Sequence, residues 1–209
     1  MGLIEHLLQG DWAGVCSIII AVGIALTVHE FAHAKIADWA GDRTARSQGR
    51  VTLNPLAHFD PLGTTFFLLF GLGWGKPVPV NPAYFKHPRR DDVLVSVGGA
   101  GANLVTAALF GLLVRFAIVP GAYLDTVVFI VTLNVALAVF NLIPLYPLDG
   151  SHVLLGLLPL RSAHAVRGFY ARWGMLPLLG MVVAFNLVPG VSLIVALPIY
   201  LIRKLLLGG

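Results

Sequence analysis

The stretch that decides the fold is IALTVHEFAHAKIADWA, residues 24–40, because an apolar run ends there in a cluster of ionisable side chains. Residues 13–28 carry no charge, and an apolar helix continued to about residue 34 would be roughly 33 Å long, enough to cross a hydrocarbon core of about 30 Å. His29, Glu30 and His33 lie at its end. An ionisable side chain inside a membrane costs roughly 2.5–3.5 kcal/mol, so this cluster indicates a functional site.

The composition indicates a protein that crosses the membrane several times. Hydrophobic residues make up 57% of the chain and charged residues 11%, with a mean hydropathy of +0.85. Soluble domains contain about a quarter charged residues. The single cysteine, Cys16, excludes an intrachain disulfide. We expect one all-α integral-membrane domain over residues 1–209, a bundle of about four to six membrane segments with no accessory domain.

Further apolar runs predict where the chain crosses. Residues 93–119 predict the second span and residues 126–144 the third. Residues 64–72 are apolar but short and are followed by glycines, which is typical of a re-entrant segment. Residues 175–188 and 191–202 predict a helical hairpin near the C-terminus.

The lysines and arginines predict the orientation of the bundle. If residues 64–72 do not cross, and if the last hairpin makes two crossings or none, thirteen of the fourteen basic residues fall on one side and Arg115 is the exception. We therefore expect the N-terminus outside and the ionisable cluster towards the cytosol, in the cell membrane of a prokaryote.

Two stretches between the first two spans predict a short β-hairpin or small sheet at the cytosolic membrane surface. They are GRVTLNP, residues 49–55, and GKPVPVNP, residues 75–82, which alternate in polarity or carry prolines. The prolines confine the second strand to an edge. This pattern fits either an ordinary surface hairpin or an edge that holds an extended substrate peptide by strand addition, formed by Pro77, Val78, Pro79 and Val80.

The H-E-x-x-H pattern predicts a metal site. On a helix, His29 and His33 lie on one face one turn apart and can share a metal, while Glu30 can reach a metal-bound water. A catalytic zinc needs a third protein ligand. No glutamate follows Glu30, which leaves an aspartate, another histidine or Cys16.

Asp149, in NLIPLYPLDG at residues 141–150, is the favoured third ligand. Counting along the first and third spans puts Asn141 at about the depth of His29. Two prolines unwind the chain directly after Asn141, which is tolerated at membrane depth where the backbone lines a wet cavity. His152 is a weaker candidate, either as a ligand or as a group that supports one.

These motifs closely resemble those of the site-2 protease family of intramembrane zinc metalloproteases. The resemblance rests on HEFAH, GRVTLNPLAHFDPLG, KPVPVNP and N-x-x-P-x-x-P-L-D-G, and runs from about residue 14 to residue 159. It implies one zinc per chain, bound by His29, His33 and Asp149, with Glu30 activating water. In SVGGAGANL, residues 96–104, Ala100-Gly101 replaces the Gly-Pro that is usual in the family's small-residue motif.

The resemblance also implies a substrate and a setting. The expected activity is cleavage of transmembrane or membrane-adjacent segments of membrane proteins near the cytosolic face, as in regulated intramembrane proteolysis. The expected partners are a substrate transmembrane helix and the lipid bilayer, and no nucleic acid.

Two asparagines are candidates for stabilising the oxyanion of peptide hydrolysis or positioning the substrate. Asn141 fits this role, and it fits equally well the role of a helix cap or of a hydrogen bond between helices. Asn103 has the same two interpretations, and for it the structural role is favoured.

Two other functions for the protein remain open. A metal transporter needs polar ligands through the whole membrane thickness, which the outer halves of the spans lack. An inactive relative that only binds substrate helices has no need of Glu30.

Overall fold

The computed structural model describes residues 3–70 and 73–208, and in this part of the chain the regular structure is entirely helical. Short 3₁₀ turns lie at Pro55–Ala57, Pro82–Tyr84 and Gly121–Tyr123. The α-helices are α1 Leu3–Leu8, α2 Trp12–Ala40, α3 Thr44–Ser47, α4 Pro61–Phe70, α5 Pro88–Arg115, α6 Leu124–Asn141, α7 Asp149–Leu157, α8 Leu160–Trp173, α9 Leu176–Leu187 and α10 Leu193–Leu207.

Three helical segments have the length and apolar composition of membrane spans: α2, α5 and Gly121–Asn141, which ends with α6. These helices pack on one another, and small residues, among them Ala21, Ala107 and Ala138, are buried where they meet. Small side chains let membrane helices approach closely. The bent pair α8 and α9 would add a fourth span if counted as one. By length and composition, the described residues thus contain three candidate spans, or four with the bent pair, whereas the sequence predicts about four to six membrane segments.

The chain between His58 and Lys76 leaves the bundle end and returns to it. The Lys76 N–H donates to the His58 carbonyl at 2.9 Å, so both residues lie at one level. Helix α4, between them, has ten residues and is about 15 Å long, too short to cross. The Phe66 ring packs on the Trp74 ring, with centroids 5.7 Å apart. This geometry fits the expected re-entrant segment, of which residues 71 and 72 lie outside the described residues.

The expected β-hairpin is not formed: neither residues 49–55 nor residues 73–81 contain a strand. Residues 73–81, the extended segment, are held by side chains. The Arg50 guanidinium donates to the carbonyls of Lys76 (2.5 Å) and Pro77 (3.0 Å). Pro77 and Pro79 have no N–H to donate, so a partner strand cannot pair along the side that these two residues face. In the part of the chain that the structure describes, no strand pairs with the other side.

Helix α10 runs parallel to α5, which corrects the predicted position of the C-terminal basic residues. Ile199 and Ile202 pack near Ala107, whereas the carbonyl of Leu205 accepts a hydrogen bond from Arg115 (3.4 Å). The C-terminal end of α10 therefore lies beside the end of α5 that is away from the histidines. Three basic residues lie at the end away from the histidines, and the remaining eleven, not thirteen, lie at the other end. The three are Arg115, Arg203 and Lys204.

Asp42 is a fully buried carboxylate that joins the end of α2 to the extended segment. It accepts hydrogen bonds from the Asn81 N–H (2.6 Å), the Thr44 N–H (2.9 Å) and the Thr44 hydroxyl (2.5 Å). Burial tends to raise the pKa of Asp42, but these hydrogen bonds outweigh it and hold the pKa below its ordinary value. The ionised carboxylate is therefore a stabilising element of this end of the bundle.

We predict that Asp42→Ala lowers the free energy of unfolding by about 2–3 kcal/mol, because buried donors lose a charged acceptor. Chemical unfolding in detergent micelles measures this, and Asp42→Asn controls for side-chain shape. Since the folded-state pKa is lowered, the contribution of Asp42 is complete above the unfolded pKa of about 3.9 and is lost as the pH falls through the folded value. The parent should lose more stability below about pH 4 than Asp42→Asn, and identical pH profiles would contradict the prediction.

Candidate metal centre

His29, His33 and Asp149 meet in the interior of the bundle. The two Nε2 atoms are 3.0 Å apart, and Asp149 Oδ2 lies 3.2 Å from each of them. All three potential ligand atoms lie within 4.8 Å of one another. Both imidazoles are buried, and the Asp149 side chain is 21% exposed. The structure thus brings together the three residues that the sequence predicts as ligands.

Two local features of the sequence create this meeting point. Helix α2 continues unbroken through the H-E-x-x-H pattern, so the two imidazoles project from one face. Helix α6 ends at Asn141, the chain is irregular over residues 142–148, and Asp149 opens α7. At Gly150 an added Cβ would lie 2.3 Å from the Leu142 carbonyl oxygen, so this tight return of the chain requires glycine.

Hydrogen bonds fix which imidazole nitrogens face the cluster. His29 Nδ1 lies 2.7 Å from Asn103 Oδ1, and His33 Nδ1 lies 2.8 Å from the Val95 carbonyl oxygen. The Asn103 amide cannot be reversed, because its Nδ2 donates to Asn134 Oδ1 at 2.9 Å. Both Nδ1 atoms therefore carry the hydrogen and donate it. In the neutral rings, both Nε2 atoms present lone pairs to the centre of the cluster.

This arrangement fits a metal cation. Two Nε2 lone pairs converge on Asp149 Oδ2, which is buried and has no hydrogen-bond partner among the described residues. Three acceptors in an apolar interior repel one another and are costly unless a cation lies between them. Two histidines and one carboxylate are a ligand set of catalytic zinc sites, which keep a fourth position open. The two histidine nitrogens and the carboxylate oxygen thus fit zinc as ligands.

Glu30 lies beside the cluster on the wall of a cavity of about 550 Å³. Its Oε2 accepts a hydrogen bond from the Val78 N–H at 3.1 Å. The cavity is also lined by Asn141, Asp149 and part of the extended segment, including Val80. The carboxylate predicted as a base, the ligand cluster and the extended segment therefore share one space.

The two candidate asparagines have different surroundings. Asn103 is fully buried behind His29, and both hydrogens of its Nδ2 are used, by the Ala25 carbonyl and by Asn134. It orients the imidazole and has no donor left for a substrate. Asn141 lines the cavity and uses one amide hydrogen for the Leu137 carbonyl (3.0 Å), so its second hydrogen has no partner among the described residues.

His152 and Cys16 lie outside the ligand cluster. His152 lies on the cavity wall with its Nδ1 3.2 Å from Asp92 Oδ2, and this hydrogen bond raises the pKa of the imidazole. Cys16 is exposed on α2, about 20 Å along the helix from His29. The cluster therefore consists of His29, His33 and Asp149 without either of these residues.

Arg50 and His58 support the site and are not among the residues predicted from the sequence. Arg50 is only 5% exposed, and the fully buried His58 donates from Nε2 to the Thr52 carbonyl at 2.8 Å. His58 also accepts, through its carbonyl, the hydrogen bond from Lys76. One feature of the sequence could have revealed the supporting role of Arg50. A proline-containing extended segment leaves carbonyls without a strand partner, so a nearby buried donor is required.

Comparison with known proteins shows the family to which the chain is similar. The model of Peptidase family M50 matches residues 117–185. The chain is 42% identical over 153 residues to "Putative zinc metalloprotease YwhC" of Bacillus subtilis, an alignment covering 68% of this chain and 69% of that protein. It is 33% identical over 148 residues to "Putative zinc metalloprotease Rip2" of Mycolicibacterium smegmatis, covering 67% of this chain and 57% of that protein. No solved structure matches the chain.

The apolar helices and the cluster of two histidines and a carboxylate define a helical membrane protein of the metalloprotease class. The chain belongs to peptidase family M50, the site-2 protease family. The resemblance found in the sequence is thus confirmed.

Gly99 lets α5 touch both imidazoles. A Cβ at this position would lie 2.5 Å from His33 Nε2 and 2.7 Å from His29 Cε1. We predict that Gly99→Ala displaces the rings and weakens zinc binding by about tenfold or more, as expected when the support of a ligand is disturbed. Competition with a chelator measures the affinity.

Gly101→Ala is the matched control for Gly99→Ala. It lies in the same helix, gains the same helix propensity, and its added Cβ meets no atom within 4 Å. Zinc affinity should stay at the parent value. Equal losses in the two variants, or none in Gly99→Ala, would show that the close contact does not matter.

Proposed function

We propose that this protein is an intramembrane zinc endopeptidase that cleaves transmembrane or membrane-adjacent segments of membrane proteins. The observation that carries the proposal is the convergence of His29, His33 and Asp149 in one cavity with Glu30. The family, and the zinc metalloprotease names of its relatives, support the reaction class. The position of the cavity between apolar helices supports a membrane substrate.

His29, His33 and Asp149 would hold one zinc ion per chain. When bound, zinc supplies a Lewis acid that polarises the scissile carbonyl and lowers the pKa of water. Glu30 accepts a proton from the water that attacks this carbonyl, and donates it to the leaving nitrogen as the peptide bond breaks. Asn141, with an amide hydrogen available on the cavity wall, is the proposed donor to the developing oxyanion.

The extended segment is the proposed holder of the unwound substrate. The carbonyl of Val78 and both backbone groups of Val80 take part in none of the hydrogen bonds between described residues. In extended backbone, residues two apart present these groups on the same side. A substrate peptide could add along this edge, which also includes Pro77 and Pro79, and pass the cavity that contains Glu30.

An apolar cavity of about 220 Å³ adjoins the first one and supports an apolar substrate segment. It shares Leu26, Trp74 and Phe140 with the larger cavity and is lined further by Leu133 and Ile199. A space of this kind fits aliphatic side chains of a transmembrane helix. A soluble, polar peptide would leave it without a complementary partner.

The distribution of basic residues supports a cytosolic active site. Eleven of the fourteen lysines and arginines lie at the end of the bundle that holds the cluster, which the positive-inside rule places in the cytosol. The N-terminus would then lie outside the cell membrane of a prokaryote. Cleavage near the cytosolic face is the geometry needed to release a cytosolic domain, as in regulated intramembrane proteolysis.

A metal transporter is disfavoured by the placement of ligands. Among the described residues, His29, His33 and Asp149 are the one group of three ionisable side chains close enough to hold a metal. Transport needs a succession of polar sites across the membrane. A single metal site near one end of the bundle fits catalysis better than transport of a metal across the membrane.

We predict that Asp149→Ala and Glu30→Gln separate zinc binding from cleavage. Asp149→Ala removes a ligand, so zinc per chain should fall from about one to well below it under mild chelation. Glu30→Gln should retain zinc while cleavage of a reconstituted transmembrane substrate falls by about 10²-fold or more. Zinc content by atomic emission and cleavage by gel analysis measure the two properties.

Asp92→Ala is the control for loss of a carboxylate, because Asp92 lines the same cavity but lies outside the cluster. It should retain zinc. Equally tight zinc in Asp149→Ala would exclude Asp149 as a ligand, and cleavage by Glu30→Gln at the parental rate would exclude the base.

We predict that Val80→Pro reduces cleavage about tenfold without loss of zinc, because it removes one N–H from the proposed substrate edge. Val80→Ala is the matched control. Both variants alter the side chain that packs near Ala37 and Phe85, but only Val80→Ala keeps the N–H. Equal cleavage rates for the two variants would rule out pairing through this residue.

A further inference from the structure

Helix α8, Leu160–Trp173, lies on the surface of the protein with one side buried. Ala163 and Tyr170 are buried, and the helix packs on α7. The Tyr170 hydroxyl donates to the Pro144 carbonyl at 2.9 Å, which ties α8 to the irregular segment before Asp149. The remaining side chains of α8 are exposed, except for the half-buried Val166.

The exposed sides of α8 divide by chemistry. At 100° per residue, the rings of Phe169 and Trp173 lie about 90° from the buried side, and they are 45% and 46% exposed. Arg161 and Arg172 lie within about 20° of each other, opposite the buried side and next to the aromatic side. They form what we call the outer edge of α8. Arg167 projects from the remaining side, away from the aromatic rings.

This helix cannot lie inside hydrocarbon, but its neighbour can. Three arginines without an acidic residue in the helix would each cost roughly 2.5–3.5 kcal/mol at the membrane centre. Helix α9 is apolar and uncharged, and it bends from α8 by 77°. With α9 entering the apolar layer, α8 lies along the membrane surface, where amphipathic helices bury aromatic rings at the acyl boundary.

We propose that the outer edge of α8 binds the headgroups of anionic phospholipids. Guanidinium groups bind phosphate oxygens in bidentate fashion, and none of the ion pairs between described residues uses Arg161 or Arg172. The two side chains start about 16 Å apart along the helix, so they bind separate headgroups. The Arg172 guanidinium lies 5.6 Å from the centroid of the Trp173 ring, which places cation and aromatic ring together at the membrane–water boundary.

The test uses Trp173 as a local reporter of lipid composition. The full chain, with its other tryptophans replaced by phenylalanine, is reconstituted into vesicles of phosphatidylcholine and phosphatidylglycerol. Either lipid is brominated in turn, and quenching of Trp173 fluorescence gives the relative binding constant of the two lipids beside α8. The parent should prefer phosphatidylglycerol by up to about fivefold per arginine. Circular dichroism checks that each variant is folded.

Two double variants with the same loss of charge discriminate the outcomes. R161Q/R172Q should reduce the preference to about one, whereas R43Q/R167Q, which spares the outer edge, should retain it. If R161Q/R172Q does not fold, R172Q alone should halve the logarithm of the preference. An unchanged preference in R161Q/R172Q, or an equal loss in R43Q/R167Q, overturns the proposal. Absence of quenching by both brominated lipids would show that α8 lies away from the membrane and would also overturn it.

Discussion

The two Nδ1–H groups of His29 and His33 must each find a fixed acceptor inside an apolar bundle, and the packing of the spans follows from this constraint. His29 reaches Asn103 on α5, and Asn103 in turn binds Asn134 on α6, so one hydrogen-bonded chain joins three helices. Unsatisfied polar groups are costly in such surroundings, and a fully paired network specifies a single arrangement. The depth and rotation of α5 and α6 relative to α2 are thereby set, and Gly99 is required where α5 passes the imidazoles.

The spans and the histidine pair are predictable from the sequence because both depend on local properties. Length and apolar composition identify a span, and the spacing of four residues fixes the face of His29 and His33. Asp149 could be anticipated because the rise of a helix converts residue counts into depth. The role of Asn103 could not be decided in this way, since it depends on which group of another helix faces the amide.

Two predictions failed because they needed information about partners. The pattern of residues 75–82 predicted a strand, but none forms there, and hydrogen bonds from Arg50 and to Asp42 hold this backbone instead. The direction of α10 depends on its packing beside α5, which a count of basic residues does not contain. The same side-chain support connects the extended segment to the chemistry. Because the Val78 N–H binds Glu30, any displacement of this segment also changes the surroundings of the carboxylate.

The division of the metal cluster between α2 and α7 has a consequence for biosynthesis. His33 and Asp149 are separated by more than a hundred residues, so the ribosome completes the histidine pair long before the carboxylate. While the first two spans enter the membrane, the nascent chain holds an incomplete cluster. A complete ligand cluster can arise only after α6 has been made and α7 has folded against α5. The order of the motifs along the polypeptide thus delays formation of the metal cluster until α2, α5 and α6 have all been made.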